Sequence, residues 1–184
     1  MKKTALAASL AALALTLTAC STATAEPPAE KPAAEEQAVE ETPAVEPGTT
    51  RDAPLPIGSK VTDGDWTVSI DEVKLDATAD LLAYSEFNEA PADGNVYVQA
   101  TATVTYNGND PQGAVPFSQI DFVTADGNTI PQAWIDSGED FTLIDPLYEG
   151  ASHTGNVIFE VPAPADGTLA VTPDTVNKMF VAIK

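Results

Sequence analysis

The sequence predicts an all-β protein built as an antiparallel β-sandwich of about seven or eight strands. Two observations lead to this prediction. Apolar side chains recur at every second position in several short segments, which is the period of a half-buried strand. Turn-forming residues separate these segments, and no amphipathic helix of useful length is evident. We assign the sandwich to residues 55–184, a length that suits one domain with one core.

The clearest strand runs from Val96 to Tyr106. Valine and alanine residues fall on one face together with Tyr106, whereas Tyr97, a glutamine and three threonines fall on the other. The segment is rich in β-branched residues and contains no proline or glycine. It therefore predicts a long strand with one face in the core, ended by turn formers at residues 107–111.

An earlier strand begins at Trp66, with apolar residues at every second position up to Ile70. The phase then shifts by one residue, because the next apolar pair begins at Val73. Such a slip predicts a β-bulge near Asp71. Residues 76–88 allow one short turn of helix before the long strand.

The remaining predicted strands lie in the second half of the domain. Ile120 and Phe122 lead into Asp126-Gly127, a dipeptide typical of hairpin turns, and the chain returns at residues 129–130. Alternating apolar residues predict three further strands, over residues 156–161, 169–171 and 179–183. The aromatic residues that we expect to anchor the core are Trp66, Tyr97 or Tyr106, Phe122 and Phe159.

The chain begins with the features of a secretory signal. Lys2 and Lys3 form a basic start, residues 5–17 form a short apolar stretch, and small residues precede position 20. This arrangement is typical of a signal peptide, and the apolar stretch is shorter than the roughly 20 residues needed to cross a bilayer. We therefore expect residues 1–19 to be removed.

The end of this signal, Leu17-Thr18-Ala19-Cys20, resembles the lipobox of bacterial lipoproteins. In that family the cysteine thiol receives a diacylglyceryl group, and the chain is cut just before the cysteine. The resemblance implies that Cys20 becomes the lipidated first residue, on the extracytoplasmic face of the cell membrane. Cys20 is the only cysteine, so it forms no intramolecular disulfide. An ordinary secretory signal with a chance cysteine is the alternative.

Residues 20–54 predict a disordered linker between the anchor and the domain. Alanine, glutamate and proline dominate, aromatic residues are absent, and Val39 and Val45 are the only large aliphatic residues. Such a segment buries too little apolar surface to offset its ordering entropy. Proline and like charges extend it into a spacer, about 100 Å long when fully extended. A tail that a partner recognises is the alternative interpretation.

The composition is strongly acidic, with 28 acidic and 8 basic residues and a formal net charge of −20. Residues 55–184 hold 20 of the acidic residues against four lysines, a formal charge of −16. This charge repels the phosphates of nucleic acids, so we expect no nucleic-acid partner. It also keeps the domain away from an anionic membrane surface.

Several motifs of the domain resemble a known family. They are Pro54-Leu55-Pro56-Ile57-Gly58, Gly64-Asp65-Trp66-Thr67-Val68, Phe87-Asn88-Glu89-Ala90-Pro91, Gly94-Asn95-Val96-Tyr97-Val98, Val123-Thr124-Ala125-Asp126-Gly127 and residues 147–162. They resemble the telokin-like, immunoglobulin-like domain of secreted actinobacterial lipoproteins, known as domain of unknown function 4352. The domain is also similar to the sandwich of a secreted immunoprotective antigen of mycobacteria. The resemblance implies an immunoglobulin-like fold and a location outside the cytoplasm, and it implies no activity. Relatives of this type often carry a cysteine pair in the later strands, which this domain lacks.

His153 is the only histidine and follows Ser152, which raises the question of a hydrolase site. Adjacent residues on a strand point to opposite faces, and the chain has no Gly-x-Ser-x-Gly motif. A zinc or copper site requires several histidine or cysteine ligands, which this composition does not supply. We therefore expect no enzymatic activity and interpret His153 as an exposed loop or strand-edge residue.

We expect no cofactor, and calcium is the one candidate to consider, because calcium binds carboxylate and carbonyl oxygens. The acidic residues that cluster near turns, and that we single out as metal candidates, are Asp63, Asp65, Asp136, Glu139 and Asp140. Asp63 and Asp65 form one group, and Asp136, Glu139 and Asp140 form the other. Neither group follows the twelve-residue calcium loop pattern Asp-x-Asp-x-Asp-Gly. Aspartate is also common in turns for backbone reasons alone.

The two tryptophans have different contexts. Trp66 is in phase with a strand core, whereas Trp134 lies in a less regular stretch and is the better surface candidate. We expect a non-enzymatic, lipid-anchored cell-envelope protein whose β-sandwich binds a protein or an envelope component through a sheet face or a loop end. The alternative is a lipoprotein that binds calcium or a small ligand.

Overall fold

The computed structural model describes residues 45–142 and 145–184. The predicted signal peptide, Cys20 and most of the predicted linker lie outside these residues. Within the described ranges, no helix is long and apolar enough to span a membrane.

Eight strands and one short helix make up the described part of the chain. In chain order they are β1 (Lys60–Asp63), β2 (Trp66–Lys74), α1 (Thr78–Tyr84), β3 (Asn95–Tyr106), β4 (Gln119–Thr124), β5 (Thr129–Ile130), β6 (Ser152–Pro162), β7 (Gly167–Thr172) and β8 (Met179–Ala182). They form two four-stranded sheets, ordered β1-β2-β3-β6 and β5-β4-β7-β8. Neighbouring strands pair antiparallel, which confirms the predicted all-β sandwich.

The core lies between the two sheets, where the period-two pattern places it. In β3 the residues from Val98 to Val104 at even positions are fully buried, so the face predicted to be apolar is the core face. Two aromatic pairs fill the layer: Trp66 packs on Tyr106 with ring centroids 4.6 Å apart, and Phe122 of one sheet lies 6.0 Å from Phe159 of the other. The predicted aromatic anchors are therefore confirmed.

Two local features of the sheets also follow the sequence. The pairing of β2 with β3 shifts register between Ile70 and Glu72, where the hydrophobic phase predicts a bulge. Residues 125–128 connect β4 to β5, and Gly127 has a positive φ of 91° that suits a glycine in this turn. The turn is closed by the amide of Thr124, which donates to the carbonyl of Asn128.

Three features differ from the expectation. β1 is an additional edge strand in which Val61 alone is buried, so four residues carry too little pattern to reveal it. β6 begins at Ser152, before the predicted start at residue 156. Its first four residues pair with β3 but include no apolar alternation, so the sequence pattern does not reveal them. Phe141 is fully buried in the core although it lies outside any strand, where no periodicity marks it.

A second, smaller apolar cluster lies on the outer face of the β1-β2-β3-β6 sheet. Tyr97 of β3 and Ile158 of β6 point away from the core, and both are buried. Ala77 and Leu81 of the α1 region cover them. The helix therefore packs on the sheet through one residue of its own, which is why its sequence shows little amphipathic pattern.

The chain before β1 contacts the second sheet. The amide of Phe180 donates to the carbonyl of Gly48, and the amide of Leu55 donates to the carbonyl of Phe180. The Arg51 guanidinium donates to the carbonyls of Thr124 and Ala125. The composition assigns residues 20–54 to the linker. Within that stretch, Gly48 and Arg51 form hydrogen bonds with the second sheet and the turn after β4, so the end of the stretch is packed against the sandwich.

Candidate functional site

Residues 131–142 lead from β5 in one sheet to the free edge of β6 in the other, without forming a strand. The amide of Ala133 donates to the carbonyl of Ile158 at 2.7 Å. Farther along, the amide of Asn156 donates to the carbonyl of Glu139 at 2.7 Å, and the amide of Phe141 donates to the carbonyl of Asn156. We call residues 131–142 the crossing segment. Hydrogen bonds near both of its ends hold it along β6.

Within this segment, neighbouring side chains face in opposite directions. Ala133 and Ile135 pack against the outer cluster around Tyr97 and Ile158. Trp134, between them, is 84% exposed. The position predicted to be the better surface tryptophan is therefore a surface residue, and the packing of its two neighbours explains why.

The side chain of Asn88 joins the crossing segment to the loop after α1. Its amide nitrogen donates to the carbonyls of Leu81 and Asp136, both at 2.7 Å, and its Oδ1 accepts from the amide of Asp136 at 2.9 Å. Three hydrogen bonds to backbone groups fix the relative position of the two segments. Gly138 lies close to the end of α1, since a Cβ there would be 3.1 Å from the hydroxyl of Tyr84.

Three exposed aromatic side chains are carried by these two joined segments. They are Tyr84 at the end of α1, Phe87 in the loop and Trp134 in the crossing segment, which we call the aromatic ridge. Their exposed fractions are 61%, 86% and 84%. Large exposed aromatic side chains on a fixed backbone are characteristic of binding surfaces.

A cavity of about 250 Å³ lies beside Trp134, at the edge between the two sheets. Gln119, Asp121, Gln132, Trp134, Phe141 and Thr142 are among the residues that line it, and we call it the Trp134 cavity. Asp121 is only 7% exposed. The hydrogen bonds that its carboxylate accepts from described residues come from a single nitrogen, Nε2 of Gln119, at 3.0 and 2.9 Å.

Polar groups beside Tyr97 of the outer cluster are hydrogen-bonded. Glu160 accepts hydrogen bonds from the side chain of Asn95 at 2.9 Å and from the amide of Ala92 at 2.8 Å, and these bonds lower the pKa of Glu160. Tyr97 donates its hydroxyl to the carbonyl of Glu89. Burial, with the nearby charges of Glu160 and Glu89, raises the pKa of Tyr97.

His153 lies on β6 at the edge of its sheet and is half-buried. Its Nε2 is 3.0 Å from the carbonyl oxygen of Asp140, a contact that ties the crossing segment to the strand. Ser152 pairs with Thr105, and their hydroxyl oxygens are 2.8 Å apart. Consecutive residues of a strand face opposite sides, so the structure does not bring Ser152 and His153 together as a nucleophile and base.

The predicted metal candidates form two separate groups with different local roles. Asp63 ends β1, and Asp65 lies in the turn between β1 and β2. Asp63 accepts from the amide and the side chain of Asn177, at 3.2 and 2.6 Å, and the backbone bond is the largest cause of its lowered pKa. Asp65 is therefore a turn residue, and Asp63 is already occupied as an acceptor.

The second group, Asp136, Glu139 and Asp140, belongs to the crossing segment. Asp136 accepts from the amide of Gly138 at 3.2 Å, and Asp140 accepts from the amide and hydroxyl of Thr142 at 2.7 and 2.6 Å. These are side-chain bonds that close local turns. Among residues 45–142 and 145–184, no group of three or more His, Cys, Asp or Glu side chains is arranged to hold a metal ion. Calcium binding stays a prediction.

Several residues of the candidate site carried no distinct signal in the sequence. Asp121 occupies an outward position between Ile120 and Phe122, where an acidic residue is expected to be exposed. Tyr84 and Phe87 stand in a stretch with no period, and the loop after α1 is joined to the crossing segment by the contacts of Asn88. A long-range contact of this kind is not encoded in local pattern.

No family model and no curated protein sequence matches this chain. Three solved structures are similar to it. A conserved hypothetical protein from Bacillus anthracis is 16% identical, with 70% of this chain and 95% of that chain covered and a TM-score of 0.49. The secreted protein MPT63 from Mycobacterium tuberculosis is 23% identical, with the same coverage and a TM-score of 0.44.

The third is an uncharacterized β-sandwich protein from Clostridium difficile, 15% identical, with 71% of this chain and 94% of that chain covered and a TM-score of 0.47. The sandwich architecture of this chain is established by its own strand pairing. Membership in the lipoprotein family that the sequence motifs resemble stays a prediction.

Proposed function

We propose that this chain is a non-enzymatic, lipid-anchored cell-envelope protein that presents its acidic β-sandwich to a protein or envelope partner. In this proposal residues 1–19 are removed and Cys20 carries the lipid, on the extracytoplasmic face of the cell membrane. The linker holds the sandwich away from the membrane, and the aromatic ridge makes the contact with the partner.

The aromatic ridge is the observation that carries this proposal. Tyr84, Phe87 and Trp134 expose most of their surface to water, on two segments that the side chain of Asn88 joins, in a domain with a formal charge of −16 over residues 55–184. Exposed aromatic side chains gain nothing for folding, whereas tryptophan, tyrosine and phenylalanine are enriched where proteins bind partners. Because Asn88 fixes the two segments that carry the ridge, little ordering entropy is lost on binding.

The lipid anchor is supported by the basic start, the short apolar stretch and the lone cysteine at the predicted cut. Mass spectrometry of the chain isolated from membranes tests it. We expect a peptide that begins at Cys20 and carries a diacylglyceryl thioether. Cys20→Ser is the control and is expected to lose the lipid. A mature chain with an unmodified N-terminus, or one that keeps residues 1–19, would contradict the anchor.

Retention on isolated cell envelopes tests the binding role of the ridge. The full chain, purified in a mild detergent, is mixed with envelopes from cells that lack it, and the retained fraction is measured. We expect Tyr84→Ala and Trp134→Ala to reduce retention. Tyr148→Ala is the matched control, because Tyr148 is 57% exposed but lies outside the ridge. Equal retention of all variants would refute the role of the ridge.

A further inference from the structure

We infer that the partner is a protein that inserts an arginine side chain into the Trp134 cavity. This inference rests on the proposed function and specifies the partner of the same surface. It follows from a buried carboxylate that pairs with no cationic side chain among residues 45–142 and 145–184, an exposed indole that lines the same cavity, and the charge of the domain.

The first step is the environment of Asp121. Aspartate is seldom as buried as this, at 7% exposure, unless a cation or several donors compensate its charge. Here the only donor among the described residues is the amide nitrogen of Gln119. The ion pairs found within residues 45–142 and 145–184 involve Asp80 and Asp166, not Asp121. The carboxylate therefore keeps acceptor capacity for a cationic donor.

The second step is the position of Trp134. Asp121 and Trp134 line the same cavity, and the indole is largely exposed. A guanidinium stacks on the face of a tryptophan by a cation–π interaction, while its planar fork donates to both oxygens of a carboxylate. A lysine ammonium lacks the plane and the fork. The cavity, at about 250 Å³, has room for one such side chain.

The third step is the charge that surrounds the site. With a formal charge of −16 over residues 55–184, the domain attracts a basic partner and repels an anionic one. A neutral sugar would also stack on Trp134, but it would leave the buried charge of Asp121 without a counterion. The combination of carboxylate and indole therefore favours arginine over a carbohydrate.

Calorimetric titration of the full chain in detergent tests the inference. The probe is the peptide acetyl-Gly-Arg-Gly-amide, and its matched control carries citrulline, which has the same shape without the charge. We expect saturable binding of the arginine peptide and at least tenfold weaker binding of the citrulline peptide. Trp134→Ala and Asp121→Asn are each expected to weaken the arginine peptide at least tenfold, and Tyr148→Ala to leave it unchanged.

The melting temperature of Asp121→Asn separates a binding role from a structural one. Because a buried charge without a cation destabilises the fold, we expect the neutral variant to melt at an equal or higher temperature. Trp134→Ala keeps the test decisive if Asp121→Asn fails to fold, since the indole is exposed. The inference would be overturned if the arginine and citrulline peptides bound with equal affinity. It would also be overturned if neither Trp134→Ala nor Asp121→Asn changed the affinity for the arginine peptide.

Two outcomes distinguish this inference from the proposed function. If envelope retention depends on Trp134 but the arginine peptide does not bind, the inference is overturned and the binding role of the ridge stands. If the neutral sugar chitotriose binds in a manner that depends on Trp134 while the arginine peptide does not, the partner is a carbohydrate and the inference is likewise overturned.

Discussion

The layer between the sheets and the crossing segment at residues 131–142 are organised by different physics. In the strands of the layer, apolar side chains recur at every second position, and this alternation decides which face of each sheet is buried. In the crossing segment, individual contacts decide which side chains are buried. Ala133 and Ile135 pack on the outer cluster, and Trp134 between them is exposed. The side chains of Asn88 and Asn156, from outside the segment, donate to its backbone carbonyls. The layer supplies stability, and the segment supplies a shaped surface.

This difference shows how a small sandwich keeps an aromatic surface without losing its fold. None of the three ridge residues belongs to the inter-sheet core. The outer cluster around Tyr97 and Ile158 links the two regions, because it lies on the back of β3 and β6 and supports the crossing segment. We therefore expect substitutions in the layer to reduce stability, and substitutions of the ridge to reduce binding.

The largest effect is expected from Phe159→Ala in the layer. Phe159 is fully buried and lies 6.0 Å from Phe122 of the facing sheet. Removal of its ring leaves a cavity, and we expect the free energy of unfolding to fall by about 3–5 kcal/mol. Urea unfolding followed by tryptophan fluorescence measures the loss. A loss near that of a surface substitution would show that the sheets repack around the gap.

Gly155→Ala should have the next largest effect, because it acts where the two regions meet. A Cβ at Gly155 would lie 2.5 Å from the amide nitrogen of Phe141 and 2.6 Å from its Cα. Backbone must move to relieve this contact, so we expect a loss of about 1–3 kcal/mol. The exposed neighbour in Thr154→Ala is the control, with a smaller loss. Equal stabilities of the two variants would contradict the close packing of the crossing segment on β6.

Asn88→Ala tests the attachment of the crossing segment to the α1 loop. The substitution removes three hydrogen bonds to backbone groups, and we expect a loss of about 1–2 kcal/mol. Hydrogen exchange should also speed up at the amide of Asp136, which then lacks its acceptor. Asn128→Ala serves as a control in an exposed turn. Unchanged exchange at Asp136 would mean that other contacts fix the ridge.

The smallest effect concerns acid stability at Glu160, which lies opposite Tyr97 of the outer cluster. Hydrogen bonds from Asn95 and Ala92 lower the pKa of Glu160 below its ordinary value of 4.5. A carboxyl group whose pKa is lower in the folded state stabilises that state when the pH is above the pKa of the unfolded state. This contribution is lost as the pH falls through the pKa of the folded state. We expect Glu160→Gln to melt lower at pH 7 and to lose less stability below pH of about 4.5.

Melting temperatures measured from pH 7 down to strongly acidic pH check this expectation, with Glu149→Gln as an exposed control. Parallel pH profiles for Glu160→Gln and the unsubstituted chain would contradict the assigned hydrogen bonds.

The fold was open to prediction because its pattern is local. The alternation from Val96 to Tyr106, the phase slip after Ile70 and the turn at Gly127 each depend on neighbouring residues, and the structure confirms all three. β1 escaped prediction because Val61 is its single buried residue. Phe141 escaped because it enters the core from an irregular segment.

The candidate site was open to prediction only in part. Trp134 could be assigned to the surface because its neighbourhood lacks strand pattern. The rest of the site could not be assigned, because Asp121 reaches the cavity beside Trp134 through tertiary packing. The loop that carries Phe87 is joined to the crossing segment through the long-range contacts of Asn88. The acidic pairs that suggested calcium, such as Asp63 with Asp65, follow the turn preference of aspartate, so their sequence signal is ambiguous.

The central claim is that the aromatic ridge serves binding and the sandwich beneath it serves stability. Trp134→Ala tests it most directly when unfolding and envelope retention are measured on the same preparation. We expect the free energy of unfolding to change by less than about 0.5 kcal/mol, as for an exposed site, while retention falls several-fold. Unchanged retention, or a loss of stability comparable to that of Phe159→Ala, would contradict the account.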